Sequence, residues 1–82
     1  MFIYIGNDEV VESRTIIAIL EIQLYHSSPQ LRKLINDRKK MDSVFGSMED
    51  AKSIIVTKDS IYYSPLATST LKKREQLYRN IN

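Results

Sequence analysis

A chain of 82 residues without a single cysteine must hold its fold together by packing alone, since it has neither a disulfide nor a thiolate zinc site. A domain of this size buries only about 60 to 65% of the surface that its unfolded chain exposes, so a deep polar active site would compete with the core for residues. The 43% of hydrophobic and 27% of charged residues are nevertheless typical of a globular protein. We therefore expect one domain over residues 1–82, and we do not expect an enzyme.

Stretches of β-branched and aromatic residues predict the strands of this domain. They lie at 2–5, 10–11, 15–22, 43–45, 53–57 and 61–64. Turn residues at Gly6-Asn7 and at Lys58-Asp59-Ser60 predict two hairpins. The run 15–22 does not alternate cleanly, so both a strand buried on two faces and a buried helical turn fit it, and its β-branched side chains favour the strand.

The clearest helix start is at Ser28-Pro29, where Ser28 can cap the free N–H groups and Pro29 has the φ angle of a first helical residue. An apolar stripe and then three basic residues follow, which predicts a helix over residues 28–40. A second helix is predicted over residues 67–82. The predicted fold is α+β: a small antiparallel or mixed sheet of about five strands, with one internal helix and one C-terminal helix.

The net charge is only +2, yet the basic residues cluster in two segments. Residues 26–40 have a net charge of +4 and residues 61–82 one of +3, whereas residues 1–25 and 41–60 are acidic, at −3 and −2. The clusters are either solvated helix faces or parts of one surface for nucleic-acid phosphates, and two of them in so short a chain favour the second interpretation. The candidate DNA-binding residues of the first cluster are Arg32, Lys33, Arg38, Lys39 and Lys40.

Few residues of this chain could carry catalysis. His26 is the only histidine, the two glycines form no phosphate-binding loop, and the acidic pairs Asp8-Glu9 and Glu49-Asp50 fall in predicted turns. We therefore predict no catalytic residue, no metal site and no cofactor. Residues 1–9 lack the basic start of a signal peptide, and no apolar run approaches the roughly 20 residues of a membrane helix, so we expect a cytoplasmic protein that does not enter a membrane.

Several ordered features together resemble a known family. They include the start at 2–6, the Ser13-Arg14 step before the strand at 16–19, and the Ser28-Pro29 helix start. The most specific features are the segments 52–57, 61–66 and 69–74. Over nearly the whole chain these features resemble the RemA/RemB extracellular-matrix regulators of biofilm-forming, endospore-forming bacteria, and the last segments resemble the RemB branch in particular.

The resemblance implies a cytoplasmic regulator of matrix-gene transcription, with a fold similar to LytTR-type DNA-binding domains. In the RemA branch the family forms ring-shaped homo-oligomers that bind DNA around the assembly. The resemblance therefore implies a closed cyclic homo-oligomer with double-stranded DNA as its partner. Arg14 matches an arginine that the RemA branch uses to bind DNA, and Pro29 matches a proline linked to assembly and activity.

The chain departs from the RemA pattern after its aromatic-glycine pair, Phe45-Gly46. Two DNA-contacting arginines follow in RemA, whereas Ser47-Met48 and then Glu49-Asp50 follow here. Negative charge there would repel a phosphate backbone, so two hypotheses stay open. Either the chain binds DNA through Arg14 with a basic cluster, 32–40 or 72–79, or it is an oligomeric interaction subunit that acts through a partner such as a DNA-binding paralogue.

Overall fold

The computed structural model describes the backbone of residues 1–81 and the side chains of residues 1–77. Its elements in chain order are the strands β1 (Phe2–Gly6) and β2 (Glu9–Glu12), a 3₁₀ turn (Ser13–Thr15), β3 (Ile16–Glu21), α1 (Leu24–Ser27), α2 (Pro29–Lys40), β4 (Val44–Phe45), β5 (Ser53–Thr57), β6 (Ile61–Ser64) and α3 (Thr68–Ile81). The predicted α+β class is confirmed, and so are both predicted helices.

Four of the strands form a mixed sheet in the order β3-β5-β6-β4. β5 pairs antiparallel with β3 and with β6, while the two-residue β4 pairs parallel with β6. The run that is ambiguous in the sequence is therefore a strand, and Ile17 forms a bulge in it between the paired residues Ile16 and Ala18. The β1–β2 and β5–β6 hairpins predicted from turn residues are both present.

This sheet lies between two other layers, because successive β5 side chains point to opposite faces. On one face, Ile54 and Val56 pack in a cluster with Leu31 and Ile35 of α2. On the other face, Ile55 packs with Leu71 of α3 and with the β1–β2 hairpin. The buried hairpin residues of this second cluster are Ile3, Ile5 and Val11. The order of layers is thus α2, then the sheet, then the hairpin with α3.

The hairpin covers the face of the sheet and does not extend its edge, which refines the prediction of one sheet with about five strands. Each large apolar side chain that it buries contributes about 1.5–3 kcal/mol, which favours this position. Ser64 Oγ donates to the Ile5 carbonyl at 2.6 Å and fixes the hairpin from the sheet side. Gly6 allows the close approach, because a Cβ at this position would lie 2.8 Å from the Pro65 ring.

Helix α2 begins where the sequence predicts it. Ser28 Oγ accepts the Leu31 N–H at 3.1 Å, and Pro29 occupies the first turn. The sequence signals do not predict the one-turn helix α1 that precedes it, since Gln23 at its start makes no capping bond through its side chain. The position of α1 instead depends on a tertiary contact from α2, described below.

Candidate nucleic-acid interface

Hydrogen bonds at one end of the four-stranded sheet bring together three segments that are far apart in sequence. The N–H of Lys58, in the β5–β6 turn, donates to the Thr15 carbonyl at 2.9 Å. Arg38, in the last turn of α2, donates from Nη2 to the Lys58 carbonyl at 3.4 Å. The start of β3, the β5–β6 turn and the C-terminal end of α2 therefore meet at this end.

Five basic residues lie on these three segments. We call this set the basic end: Arg14, Arg38, Lys39, Lys40 and Lys58. The acidic residues beside them are Glu12, Asp42 and Asp59, three against five, so positive charge prevails. The three lysines are exposed, and those at the end of α2 also suit the negative end of the helix dipole. An exposed surface of this charge attracts phosphate groups.

Arg14 stands at the corner of the basic end, with 75% of its side chain exposed. Its Nε lies 3.2 Å from Glu12 Oε1, and its backbone N–H donates to the same oxygen at 3.0 Å. That backbone hydrogen bond, followed by one from the N-terminal ammonium, lowers the pKa of Glu12 from 4.5 to about 2. Glu12 therefore stays ionised well below the ordinary range of a carboxyl group and pairs with Arg14.

Arg38 has a different environment from the two lysines that follow it. Its side chain is half-buried beside the β5–β6 turn. Nη1 is shielded from solvent and has no hydrogen-bond partner within the described part of the chain. A guanidinium in this position covers apolar surface with its stem and supports the turn. Arg38 is thus the least exposed of the five side chains, and its role in DNA binding stays a prediction.

Two other predicted DNA-binding residues lie in the first half of α2, before the basic end. Arg32 donates from Nη1 to the Tyr25 and His26 carbonyls at 2.7 and 2.8 Å, which ties α2 to the C-terminal end of α1. Lys33 is exposed and follows it in the chain. Lys33 precedes Arg38 by five residues, or about 7.5 Å along the helix axis, and Pro29 lies at the start of α2. A role of these three residues in DNA binding or assembly stays a prediction.

The acidic loop, residues 46–50, also lies at the far end of the sheet. β4 runs parallel to β6 and away from the β5–β6 turn, so the chain leaves it beside Tyr63. Gly46 is required there, because its φ is 90° and a Cβ would lie 2.7 Å from the Tyr63 carbonyl oxygen. The loop is exposed. Its two carboxylates therefore do not adjoin Arg14 within one copy of the chain.

The second basic cluster of the sequence lies on α3. Lys72 and Lys73 are exposed, and Lys72 lines a groove between α3 and β3 together with Glu75. Arg74 instead turns toward the hairpin, where its Nη1 donates to the Tyr4 carbonyl at 2.7 Å. Arg79 lies outside the residues whose side chains the structure describes. The described part of this cluster is therefore divided between two sides of α3.

Lys58 is the candidate residue that sequence patterns do not single out, because it lies in a turn within an acidic segment. Only the pairing of β3 with β5 could have indicated it, since that register places the β5–β6 turn beside Thr15. Arg32 shows the reverse case. It belongs to the strongest basic cluster of the sequence, yet its guanidinium binds backbone carbonyls.

Other kinds of site find little support in the described residues. Among them, no three histidine, aspartate or glutamate side chains converge as a metal site. Burial, and then the neighbouring Tyr25, raises the pKa of Tyr63, so its hydroxyl stays neutral inside the α2 cluster. No helix in this part of the chain is both long and apolar enough to cross a membrane.

Comparison with known proteins identifies the same family that the sequence features resemble. The model of the family described as RemA-like, extracellular matrix regulatory protein A-like, matches residues 2–74. Extracellular matrix regulatory protein B of Bacillus subtilis (strain 168) is 40% identical over 84 residues, which cover 100% of this chain and 99% of that protein. The predicted family and its RemB likeness are confirmed. The chain belongs to the RemA-like family of extracellular matrix regulatory proteins.

Proposed function

We propose that this chain is a DNA-binding transcriptional regulator of extracellular-matrix genes, which works in the cytoplasm as a ring-shaped homo-oligomer and makes mainly phosphate-backbone contacts. The observation that carries the proposal is the basic end, where Arg14 adjoins Lys58 and the last turn of α2. The names of the family and of the 40% identical relative support the regulatory role. Phosphate contacts position a protein on DNA with little sequence readout.

One copy carries too little charge for firm binding. Its exposed basic end offers at most about four phosphate contacts, and each contributes roughly −0.9 to the slope of log affinity against log salt concentration. A ring would present the same residues to one duplex several times. Assembly and DNA binding are therefore linked in this proposal: the charge of each subunit is modest, and the number of subunits in contact multiplies it.

The acidic loop opposes DNA binding less than its sequence suggests. The loop and Arg14 lie beyond opposite ends of β3, a strand of six residues. Six strand residues span about 20 Å, which is more than twice the Debye length of about 8 Å at physiological salt. The carboxylates of the loop are therefore screened from phosphates bound at Arg14 of the same copy.

A second candidate function follows from the exposure of the same loop. An oligomeric interaction subunit would bind no DNA itself and would act through a basic partner, such as a DNA-binding paralogue, with Glu49 and Asp50 as its contact. Reversal of both charges should then abolish co-purification with the partner. An interaction that survives both reversals would remove the support for this function.

Fluorescence anisotropy with labelled duplexes of unrelated sequence tests the first proposal. Arg14→Ala and Lys58→Ala should each weaken binding several-fold and about equally for all duplexes, because phosphate contacts carry no sequence information. Lys52→Ala is the matched control, since Lys52 is exposed but lies beside the acidic loop. The proposal would be refuted if neither Arg14→Ala nor Lys58→Ala changed the affinity. It would also be refuted if the wild-type protein bound no duplex at about 50 mM salt.

A further inference from the structure

The carboxylate of Glu12 makes several contacts at the corner of the basic end. Glu12 is the last residue of β2 and directly precedes the 3₁₀ turn that carries Arg14. Its Oε1 accepts two N–H groups of Arg14, the backbone N–H at 3.0 Å and Nε at 3.2 Å. Its Oε2 lies 3.0 Å from the N-terminal ammonium. The carboxylate therefore joins the end of β2, the turn and the Arg14 side chain.

The 3₁₀ turn that Glu12 caps is also tied to the fold through backbone groups. The Ser13 N–H donates to the Met1 carbonyl at 2.9 Å, and the Thr15 carbonyl accepts the Lys58 N–H at 2.9 Å. Thr15 Oγ1 donates to the Glu12 carbonyl at 2.7 Å. None of these three bonds uses the Glu12 side chain. We therefore expect the turn to keep its place in the fold when that side chain is replaced.

The carboxylate does not cancel the positive charge of this corner. Glu12 contacts two cationic groups, the N-terminal ammonium and the Arg14 guanidinium. Two positive charges and one negative charge leave a net charge of +1. Removal of the carboxylate would leave both positive charges, and electrostatics alone would then strengthen the attraction of the corner to phosphate.

The order of the Arg14 side chain acts in the opposite direction. A long exposed side chain loses rotamer freedom when it binds, which lowers affinity by roughly twofold to tenfold for each side chain. Arg14 is 75% exposed, but its Nε and its backbone N–H share one oxygen of Glu12. A guanidinium that is already restrained at Nε loses less freedom on phosphate. Because salt screens the exposed charge of Glu12, we expect the order of Arg14 to be the larger effect.

We propose that Glu12 is a positioning residue for the contact between Arg14 and phosphate, so that an acidic side chain strengthens DNA binding. Through Oε1 it restrains the guanidinium at the corner of the basic end. The contact with DNA is that of Arg14, and Glu12 itself touches no phosphate. The inference rests on the proposed function and deepens it, because it adds a residue without positive charge to a site that charge alone defines.

Two substitutions of Glu12 with different expected results test this role, by fluorescence anisotropy with labelled duplexes at low salt. Glu12→Ala removes Oε1 and should weaken binding roughly twofold to tenfold, although it also removes a negative charge. Glu12→Gln keeps an oxygen acceptor on a side chain of the same length, so it should bind at least as tightly as the wild type. Asp59→Asn is the matched control, because Asp59 is exposed beside Lys58 and the loss of its charge should only strengthen binding. Circular dichroism melts confirm that the variants fold.

A double substitution shows whether Glu12 acts through Arg14. In an Arg14→Ala background, Glu12→Ala should cause no further loss of affinity, because the side chain that it positions is already absent. An equal loss in both backgrounds would overturn the proposal, since the effect would then come from the fold or from another residue. A Glu12→Ala variant that binds as tightly as the wild type would overturn it too, and so would a Glu12→Gln variant as weak as Glu12→Ala.

The Arg14→Ala single variant separates this inference from the proposed function. If Arg14→Ala weakens binding but Glu12→Ala does not, the positioning role alone fails and DNA binding at the basic end stands. If the wild-type protein binds no duplex, the proposed function fails and the positioning role fails with it. Weaker binding by both single variants, with no additional loss in the double variant, supports both.

Discussion

Replacement of Arg32 by alanine should lower the stability of the fold, although Arg32 belongs to the strongest basic cluster of the sequence. Its Nη1 donates to the Tyr25 and His26 carbonyls at 2.7 and 2.8 Å, and the first of these bonds is partly buried. A hydrogen bond to a charged group contributes about 1.5–3 kcal/mol, and less where water competes for it, so we expect a loss of about 2 kcal/mol. In a domain of this size the loss corresponds to a fall of roughly 8–16 °C in Tm.

Urea denaturation followed by circular dichroism measures this change. All variants need the same protein concentration, because assembly stabilises the fold by mass action. Lys33→Ala is the matched control, since its exposed neighbouring side chain should change stability by no more than about 0.5 kcal/mol. Arg32→Lys should recover only part of the loss, because the ammonium does not reach as far as Nη1 and lacks the fixed planar geometry of a guanidinium. An Arg32→Ala variant that keeps wild-type stability but loses DNA affinity would refute the structural role of Arg32.

Three further changes test other parts of the fold. Ser28→Ala removes the acceptor of the Leu31 N–H and should lower the free energy of unfolding by about 1 kcal/mol in urea; an unchanged midpoint would contradict this cap. Gly46→Ala places a Cβ on a residue with a φ of 90° and close to the Tyr63 carbonyl, so it should lower the free energy of unfolding by about 1–3 kcal/mol. Thermal melts measure this change, and a wild-type Tm would contradict the assigned turn. The folded-state pKa of Glu12 is about 2, below the ordinary 4.5, so its contribution to stability is complete above pH 4.5 and is lost as the pH falls toward 2. Acid titration of Glu12→Gln should show a flatter fall over that window, and an identical profile would contradict the pKa.

Local signals in this chain predict its elements well, because short-range physics determines them. Ser28 and Pro29 define the start of α2 through a side-chain cap and a fixed φ angle. The β-branched run 15–22 yields the strand β3, and the turn residues at 58–60 join β5 to β6. The family follows from the order of these signals along nearly the whole chain.

Contacts between distant segments are what the sequence leaves open. The apolar residues of the β1–β2 hairpin predict its two strands, but they do not say whether the hairpin covers a sheet or joins its edge. Lys58 becomes a candidate only through the register of β3 with β5. Arg32 carries the same charge as Arg14, yet the two guanidinium groups have different environments that depend on the position of α1. Charge clusters in sequence therefore indicate a surface but not which of its members reach a ligand.

The salt dependence of duplex binding by the assembled wild-type protein tests the central claim most directly. A single copy with about four contacts would give a slope near −3.6 in log affinity against log salt, and a ring that uses several basic ends should exceed it. We predict a slope clearly steeper than this value, reduced by Arg14→Ala. A slope no steeper than that of one copy, or no duplex binding by the assembly at about 50 mM salt, would contradict the account.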